Sequence, residues 1–514
     1  MHHHSAKLFF LLAAHLIYKF IFGGTVLYLV KLFPEITIKS RPVRRKFIRQ
    51  LRKNLREVLK EFDEGIKVTG KWDVLEVETS NDESIITKQI TERLTCTPGI
   101  ASILKAERHP LREMEEIFQL TLKAYGEFII GKTFAVRCKR NGQHQFRSVD
   151  VEQYVGRGLK KHLKTAGVKL KKPDVTVALE IKDEFLYIIR EQVKGLGGYP
   201  LGCQDAVMSL ISGGFDSSVS SFLTIKRGLQ THYCFFNLGG KAHELAVKEV
   251  ALFLWMKYHS SHRVKFVSVP FAGVVEEILT QVDDSQMGVV LKRMMLRAGE
   301  RIADDLSIKA LVTGESVAQV SSQTLSNLAV IDTAIDSLVL RPLCTVNKQD
   351  IIDISRDIGT EDFSKNIPEY CAVISKKPTT KANIGKVKRE ESRFNFDVLE
   401  SAIESAHFQL ITEVIDDFNA AAIEVAVKNT ISNGSVVIDI RHPSELEISP
   451  LNISDGAEVL NVPFYQLRTR FTELDRDTQY MLYCDKGMMS RLHAAHLFDE
   501  GYTNVTVLDL KAGV

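Results

Sequence analysis

Six consecutive residues, Ser212-Gly213-Gly214-Phe215-Asp216-Ser217, carry the most specific chemistry in the chain. They lie between the apolar run Val207 to Ile211 and the amphipathic stretch Val219 to Arg227, so they read as strand end, tight turn and helix start. Adjacent glycines let backbone N–H groups approach an anion, the serine hydroxyls add donors, and the helix N-terminus adds partial positive charge. The pattern Gly-x-x-x-x-Gly-Lys-Ser/Thr is absent, and with it the lysine that grips the β- and γ-phosphates in phosphoryl transfer. Such a cradle suits a pyrophosphate that departs whole and leaves AMP on the substrate. A second candidate is Cys484, which ends the apolar run Gln479 to Tyr483 and opens the loop Asp485-Lys486-Gly487-Met488-Met489-Ser490-Arg491. Backbone N–H groups of a short loop entering a helix stabilise a thiolate or persulfide. From the two loops alone, an ordinary glycine-containing βα turn and a buried strand-end cysteine stay open as alternatives.

The elements that must position these groups follow from the hydrophobic pattern. From about Leu201 to Ser375 strand and helix patterns alternate, which predicts a parallel, doubly wound sheet. Its strands are read at Ala206 to Ile211, His232 to Asn237, Val264 to Val269, Ala310 to Thr313 and Leu338 to Leu340. Ligands in such sheets bind beyond the carboxyl ends of strands. That places Asn237 to Gly240, Thr313-Gly314-Glu315-Ser316 and Arg341-Pro342-Leu343-Cys344 beside the glycine loop. Lys376 to Arg393 reads as a mobile, lysine-rich connector, and helical patterns continue to about Val427. The last 85 residues form another α/β unit, with Val436 to Arg441 as a buried strand ending in an Asp/Arg pair.

Upstream, Leu29 to Val77 reads as strand, helix, strand, with Ile36, Ile38 and Trp72 to Val77 in strands and Val43, Phe47, Leu51, Leu55 and Leu59 at helical spacing. The opposite helix face carries Arg44, Arg45, Lys46, Arg49, Arg52, Lys53, Arg56 and Lys60 against one acid, Glu57. It is either a solvated face or an electrostatic footprint for a phosphate backbone. Ser84 to Arg190 forms a second α/β unit with basic loops, including Lys139-Arg140-Asn141-Gly142 and a helix carrying Lys160, Lys161 and Lys164. The Gly/Pro run Gly195 to Pro200 reads as the joint to the next domain.

Composition bounds the rest. A chain of 514 residues exceeds one compact domain, and 45% hydrophobic with 25% charged residues permits full cores and argues against disorder. A net charge of only +3 means that any nucleic-acid surface comes from local clustering. Seven cysteines lack Cys-x-x-Cys spacing, which argues against a zinc site or a secreted disulfide scaffold and for a reducing, cytoplasmic setting. Leu8 to Phe22 is largely apolar but interrupted by His15 and Lys19; it fits neither a spanning helix of about 20 apolar residues nor a clean secretory signal. We expect residues 1–25 to be a leader outside the working protein, and no membrane association.

Particular strings carry family resemblances. The glycine loop resembles the PP-loop of N-type ATP pyrophosphatases. Arg137-Cys138-Lys139-Arg140 and Val168-Lys169-Leu170 resemble a THUMP domain, an RNA-binding module of tRNA-modifying enzymes. Asp439-Ile440-Arg441 with Cys484 resembles a rhodanese domain, in which the loop cysteine carries a persulfide. In this order, together with Lys31-Leu32-Phe33-Pro34-Glu35-Ile36, Gln286 to Lys292 and Pro368-Glu369-Tyr370-Cys371, they resemble the long-form tRNA 4-thiouridine synthetases, or ThiI family, from Leu29 onward.

The resemblance implies an α/β multidomain fold: ferredoxin-like N-terminal (26–83) and THUMP (84–192) modules, a doubly wound PP-loop domain (196–375), linker and helices (376–428), and a C-terminal rhodanese-like domain (429–514). It implies ATP-dependent adenylation of tRNA uridine 8 and its thiolation to 4-thiouridine, with sulfur transfer to a carrier protein for thiamine thiazole synthesis as an added role. Leu210, Ile211, Ser212, Gly213, Gly214, Ser217, Lys292, Gly314 and Gln323 are the implied nucleotide residues. Asp216 would orient pyrophosphate or its magnesium, and Lys348 would stabilise charge at the reacting centre. Cys484 would carry the persulfide and Cys371 close a disulfide with it, with Cys344 as the rival partner. Arg44, Arg45, Arg49, Arg52, Lys139, Arg140, Lys160 and Lys161 are the RNA-binding candidates. The implied partners are tRNA, a cysteine desulfurase, the thiamine sulfur carrier, a cellular reductant and a second copy of the chain. A non-catalytic RNA-binding protein is the competing reading; it predicts no ATP-dependent AMP release with tRNA.

Overall fold

The computed structural model of the chain describes residues 26–71, 74–238, 240–365, 367, 377–421, 426–432, 434–441, 445–446, 450–451, 453, 457–484 and 488–510. The expected leader, Trp72, Cys371 and Asp485 to Gly487 lie outside the described residues. The chain divides into two units, split after Pro200.

The first unit is built on one eight-stranded sheet. Its strands are β1 (Val26–Leu32), β2 (Lys67–Lys71), β3 (Val74–Thr79), β4 (Ile100–Pro110), β5 (Thr133–Asn141), β6 (Gly167–Val168), β7 (Val175–Lys182) and β8 (Phe185–Gly197), in the order β2-β3-β1-β4-β8-β7-β5-β6. Antiparallel pairing of β1 with β4 and of β4 with β8 makes one continuous sheet of the two N-terminal modules. The basic helix Arg41–Leu59 begins with Pro42 in its first turn, where a missing N–H costs nothing, and buries Phe47, Leu51, Leu55 and Leu59. Its buried stripe, apolar except for Asn54, is what holds it, since the other face is nearly all cationic. Ile36 and Ile38 differ from the expected strand. Pro34–Thr37 is a short helix with Ile36 buried, because Pro34 fixes φ at a helical first position. The expected joint is also better tied than a linker: β8 runs to Gly197, and buried Tyr199 donates its hydroxyl to Glu35 at 2.6 Å.

The second unit holds two sheets. The larger contains β9 (Ala206–Leu210), β10 (Gln230–Asn237), β11 (Lys265–Pro270), β12 (Ala310–Val312), β13 (Leu338–Leu340) and β14 (His407–Leu410), in the order β13-β12-β9-β10-β11-β14. All pairs are parallel except β11 with β14, an antiparallel edge strand where only helix was expected. The core beside it joins Met208, Val267, Leu311, Val290 and Met294 with Val387 from within the expected connector and Leu399 from beyond it. That connector is a correction: Ile384–Glu391 is a helix capped by Asn383, whose side chain accepts from Gly385 and Lys386 N–H. Glu391, nearly buried, binds both Arg293 and Arg297, each at 2.7 Å. Lysines that look solvating in sequence surround one apolar and one acidic anchor, and these two decide the packing.

The smaller sheet contains β15 (Val427–Lys428), β16 (Val436–Asp439), β17 (Val459–Asn461), β18 (Tyr480–Tyr483) and β19 (Val505–Leu508), parallel throughout, in the order β15-β19-β18-β16-β17. Among the described residues no helix is long and apolar enough to cross a membrane.

Candidate active site: a glycine cradle and a cysteine loop

Strand β9 ends at Leu210, and the helix Phe215–Lys226 starts with Gly214 as its cap. Gly213 has φ +80, the left-handed conformation that turns the chain between them. Ser217 ties the loop to itself: its Oγ accepts the Ser212 N–H at 3.1 Å and the Ser212 hydroxyl at 3.2 Å, and donates to Gly214 O at 3.1 Å. Ser364 donates its hydroxyl to Gly213 O at 2.9 Å from outside the loop.

The neighbouring strand ends meet this turn. Gly314, just beyond β12, lies against the Asp216–Ser217 backbone, where a methyl group would come within 2.6 Å of the Asp216 carbonyl carbon. Lys348 Nζ is 2.7 Å from Asp216 Oδ1, and Gln319 donates to Asp216 Oδ2 at 2.7 Å. Gln323 accepts the Ser316 N–H at 3.3 Å in the same turn. Lys292 lies 2.6 Å from Glu315 Oε1, and Arg341 Nε donates to Glu315 Oε2 at 2.7 Å. Burial by itself pushes the Glu315 carboxyl up, but the Lys292 and Arg341 charges outweigh it and hold it at about 2. The loop Ser212–Ser217, Gly314 and Lys348 are therefore joined by direct contacts, while Gln323 reaches the same turn through Ser316 and Lys292 through Glu315. Gln319 and Ser364 were not among the expected residues. Glu315 and Arg341 fall in the strand-end runs expected beside the loop but carried no assigned role, because which buried charge pairs with which is a tertiary fact.

In the smaller sheet, Cys484 follows β18. Its Sγ accepts the Ser490 N–H at 3.3 Å, and its thiol donates to Ser490 Oγ at 3.4 Å, at the start of the helix Met488–Asp499. Asp439 and Arg441 form a buried pair at 2.6 Å, with the Arg441 guanidinium 5.2 Å from the Tyr483 ring centre. This small domain rests on the nucleotide domain. His493 is 3.1 Å from Glu249, and Phe464 packs on Phe363 at 5.6 Å between ring centres. The helix Glu361–Lys365 thus touches the glycine loop through Ser364 and the cysteine domain through Phe363.

Among the described residues no group of three or more His, Cys, Asp or Glu side chains is placed to hold a metal. Asp216 is a lone carboxylate, which fits a magnesium held mainly by substrate phosphates and one protein oxygen. In the first unit, Arg45, Arg49, Lys139, Lys160 and Lys161 are exposed, whereas Arg44, Arg52 and Arg140 are half-buried. Arg44 donates to Thr37 O at 2.9 Å and Arg140 to Gly142 O at 2.9 Å. Arg137, midway along β5, donates to Leu170 O at 2.6 Å, which draws the basic loop 169–172 beside that strand.

Fold and site together define a class: a PP-loop nucleotide domain joined to ferredoxin-like, THUMP and rhodanese-like modules. Family models agree. Thiamine biosynthesis protein (ThiI) matches residues 202–396, THUMP domain 112–190, ThiI ferredoxin-like domain 27–103 and Rhodanese-like domain 425–510. A tRNA sulfurtransferase of Saccharophagus degradans is 54% identical over 480 residues, covering 93% of this chain and 99% of that protein. One of Azotobacter vinelandii is 54% identical over 479 residues with the same coverage. Among solved structures, a 4-thiouridine synthetase in complex with RNA and bound ATP matches with a TM-score of 0.66 at 25% identity, over 75% of this chain and 99% of that one. The chain belongs to the tRNA sulfurtransferase family.

Proposed function

We propose that this protein converts uridine 8 of tRNA to 4-thiouridine at the expense of ATP. The observation that carries this reading is the convergence of Gly314, Gln319 and Lys348 on Asp216 at the glycine cradle, in a chain that also presents Cys484 to a backbone N–H. A carbonyl oxygen is a poor leaving group. The uridine O4 attacks the α-phosphorus of ATP, and pyrophosphate leaves into the cradle of Ser212, Gly213, Gly214 and Ser217. Leu210 and Ile211 offer backbone contacts to the adenine, with Lys292, Gly314 and Gln323 completing the nucleotide site. Lys348 offsets negative charge at the reacting phosphate. Asp216 would hold the magnesium, whose chemistry is to offset phosphate charge.

The terminal sulfur of a Cys484 persulfide then attacks ring carbon 4, and AMP leaves with the former O4. Cys371 attacks the remaining S–S bond to release the sulfur, forming a Cys371–Cys484 disulfide that a cellular reductant opens. A cysteine desulfurase loads Cys484 from cysteine. The exposed Arg45, Arg49, Lys139, Lys160 and Lys161 supply a phosphate-binding surface for tRNA, with Arg44, Arg52 and Arg140 at its margin. We place the reaction in the cytoplasm. The same Cys484 domain passes sulfur to a thiamine sulfur carrier, a role that needs no adenylation at the Asp216 cradle.

Sulfur-labelled thiolation of unmodified tRNA tests the reading. Label reaches tRNA only when ATP is present and is lost in Cys484→Ala; transfer without ATP would overturn it. In complementation for thiamine, Cys484→Ala fails and Asp216→Ala succeeds.

A further inference from the structure

The Asp216 carboxylate is held from two sides by groups of different character. Lys348 occupies Oδ1 with a side chain 41% exposed, a flexible cation on the first turn of the helix Lys348–Ile358. Gln319 occupies Oδ2 from a tight turn. In that turn its own N–H donates to Ser316 O at 3.2 Å, the Ala318 N–H to Gln323 O at 3.0 Å, and the Ser316 N–H to the Gln323 side chain at 3.3 Å. Ala318 has φ +66, a left-handed backbone that a residue with a Cβ adopts only when its surroundings impose it. Gln319 Oε1 is shielded from solvent and makes no hydrogen bond among the described residues, so Asp216 is what orients this amide. The opposite orientation would press the amide oxygen against the carboxylate.

An ATP triphosphate carries more negative charge than one carboxylate. A lysine as mobile as Lys348 will exchange Asp216 for it, and the carboxylate, relieved of that ion pair, is left free to turn unless a second group holds it. A neutral donor fixed in a tight turn does not follow the lysine. We propose that Gln319 is the positioning residue for Asp216. It keeps Oδ2 while Lys348 turns to the phosphates, so the carboxylate holds its direction when the nucleotide arrives. The inference rests on the reading of Asp216 and Lys348 as nucleotide-site residues.

A double-mutant cycle on the full-length protein tests it, with ATP affinity measured by titration calorimetry for Gln319→Ala, Asp216→Ala and the double variant. Gln319→Ala weakens ATP roughly 10- to 100-fold, the worth of one hydrogen bond to a charged group. The double variant is no weaker than Asp216→Ala within about twofold, because Gln319 acts through Asp216. Losses that multiply in the double variant, or no loss in Gln319→Ala, would overturn the proposal. Ala318→Gly keeps the amide and suits the left-handed backbone, so ATP affinity stays within about twofold; a loss as large as that of Gln319→Ala would assign the effect to the turn and overturn the proposal. The two levels fail separately. A silent Asp216→Ala, in ATP affinity and in AMP release, refutes the site reading, whereas a silent Gln319→Ala beside a damaged Asp216→Ala refutes only this inference.

Discussion

Gly314→Ala is the sharpest steric probe of the cradle. The added methyl would lie 2.6 Å from the Asp216 carbonyl carbon, 2.7 Å from its oxygen and 2.8 Å from the Ser217 nitrogen. The closest approach is about 0.8 Å short of the 3.4 Å where ordinary contact begins, and all three neighbours are backbone. No side chain can swing aside, so β12 and the glycine loop must separate. Overpacking of this kind costs ~1–3 kcal/mol. A shift on the ångström scale at a reacting centre lowers a rate by ~100-fold. AMP release measured with saturating tRNA should fall by about that factor, while tRNA affinity changes by less than about threefold because the predicted RNA contacts lie in the first unit. Normal AMP release in a folded Gly314→Ala protein would refute the claim that the loop and the β12 end form one site.

Three further outcomes follow from the packing. Burial, with Lys265 nearby, pushes His232 down to about 4, and burial holds the fully enclosed His259 well below its usual value. The unfolded chain binds protons at these positions below pH ~6.5 and the folded chain does not, so stability falls as pH drops from ~6.5 toward 4, by ~1.4 kcal/mol per pH unit for each group. In His232→Asn, whose amide oxygen can still accept the Lys265 N–H, denaturation midpoints against pH should show a shallower acid slope; an unchanged slope would contradict the assignment. Glu391→Ala leaves Arg293, 1% exposed, without its buried carboxylate and should cost ~3–5 kcal/mol in chemical denaturation; a loss under ~1 kcal/mol would show that the segment after residue 377 is not anchored this way. Phe464→Ala removes a half-buried ring between Phe363 and His493 at about 1–2 kcal/mol, so limited proteolysis within 426–432 should speed up ~5- to 30-fold; unchanged protection would contradict the docking.

The cradle was legible because its information is local. Two glycines, two serines and an aspartate between an apolar run and a helical pattern specify a turn with donors on it, and Gly213 adopts the left-handed φ such a turn needs. The alternation of strand and helix patterns likewise foretold the parallel sheet. What was hidden depends on partners far along the chain. His407–Leu410 is a four-residue edge strand with no alternation to read, and it exists because the edge of β11 is open to it. The segment after residue 377 looks solvent-loving and is largely exposed, yet the buried Val387 and Glu391 anchor it. Gln319 is unremarkable in sequence and Glu315 is legible only by its place at a strand end; tertiary structure alone shows that one grips Asp216 and the other pairs Lys292 with Arg341.

In the proposed reaction ATP activates the uridine oxygen itself as an adenylate before sulfur replaces it. Oxygen-18 placed at O4 of uridine 8 tests this directly. The heavy oxygen should leave in the phosphate of AMP, one atom for each 4-thiouridine formed. Heavy oxygen in inorganic phosphate or in water, with AMP unlabelled, would contradict it.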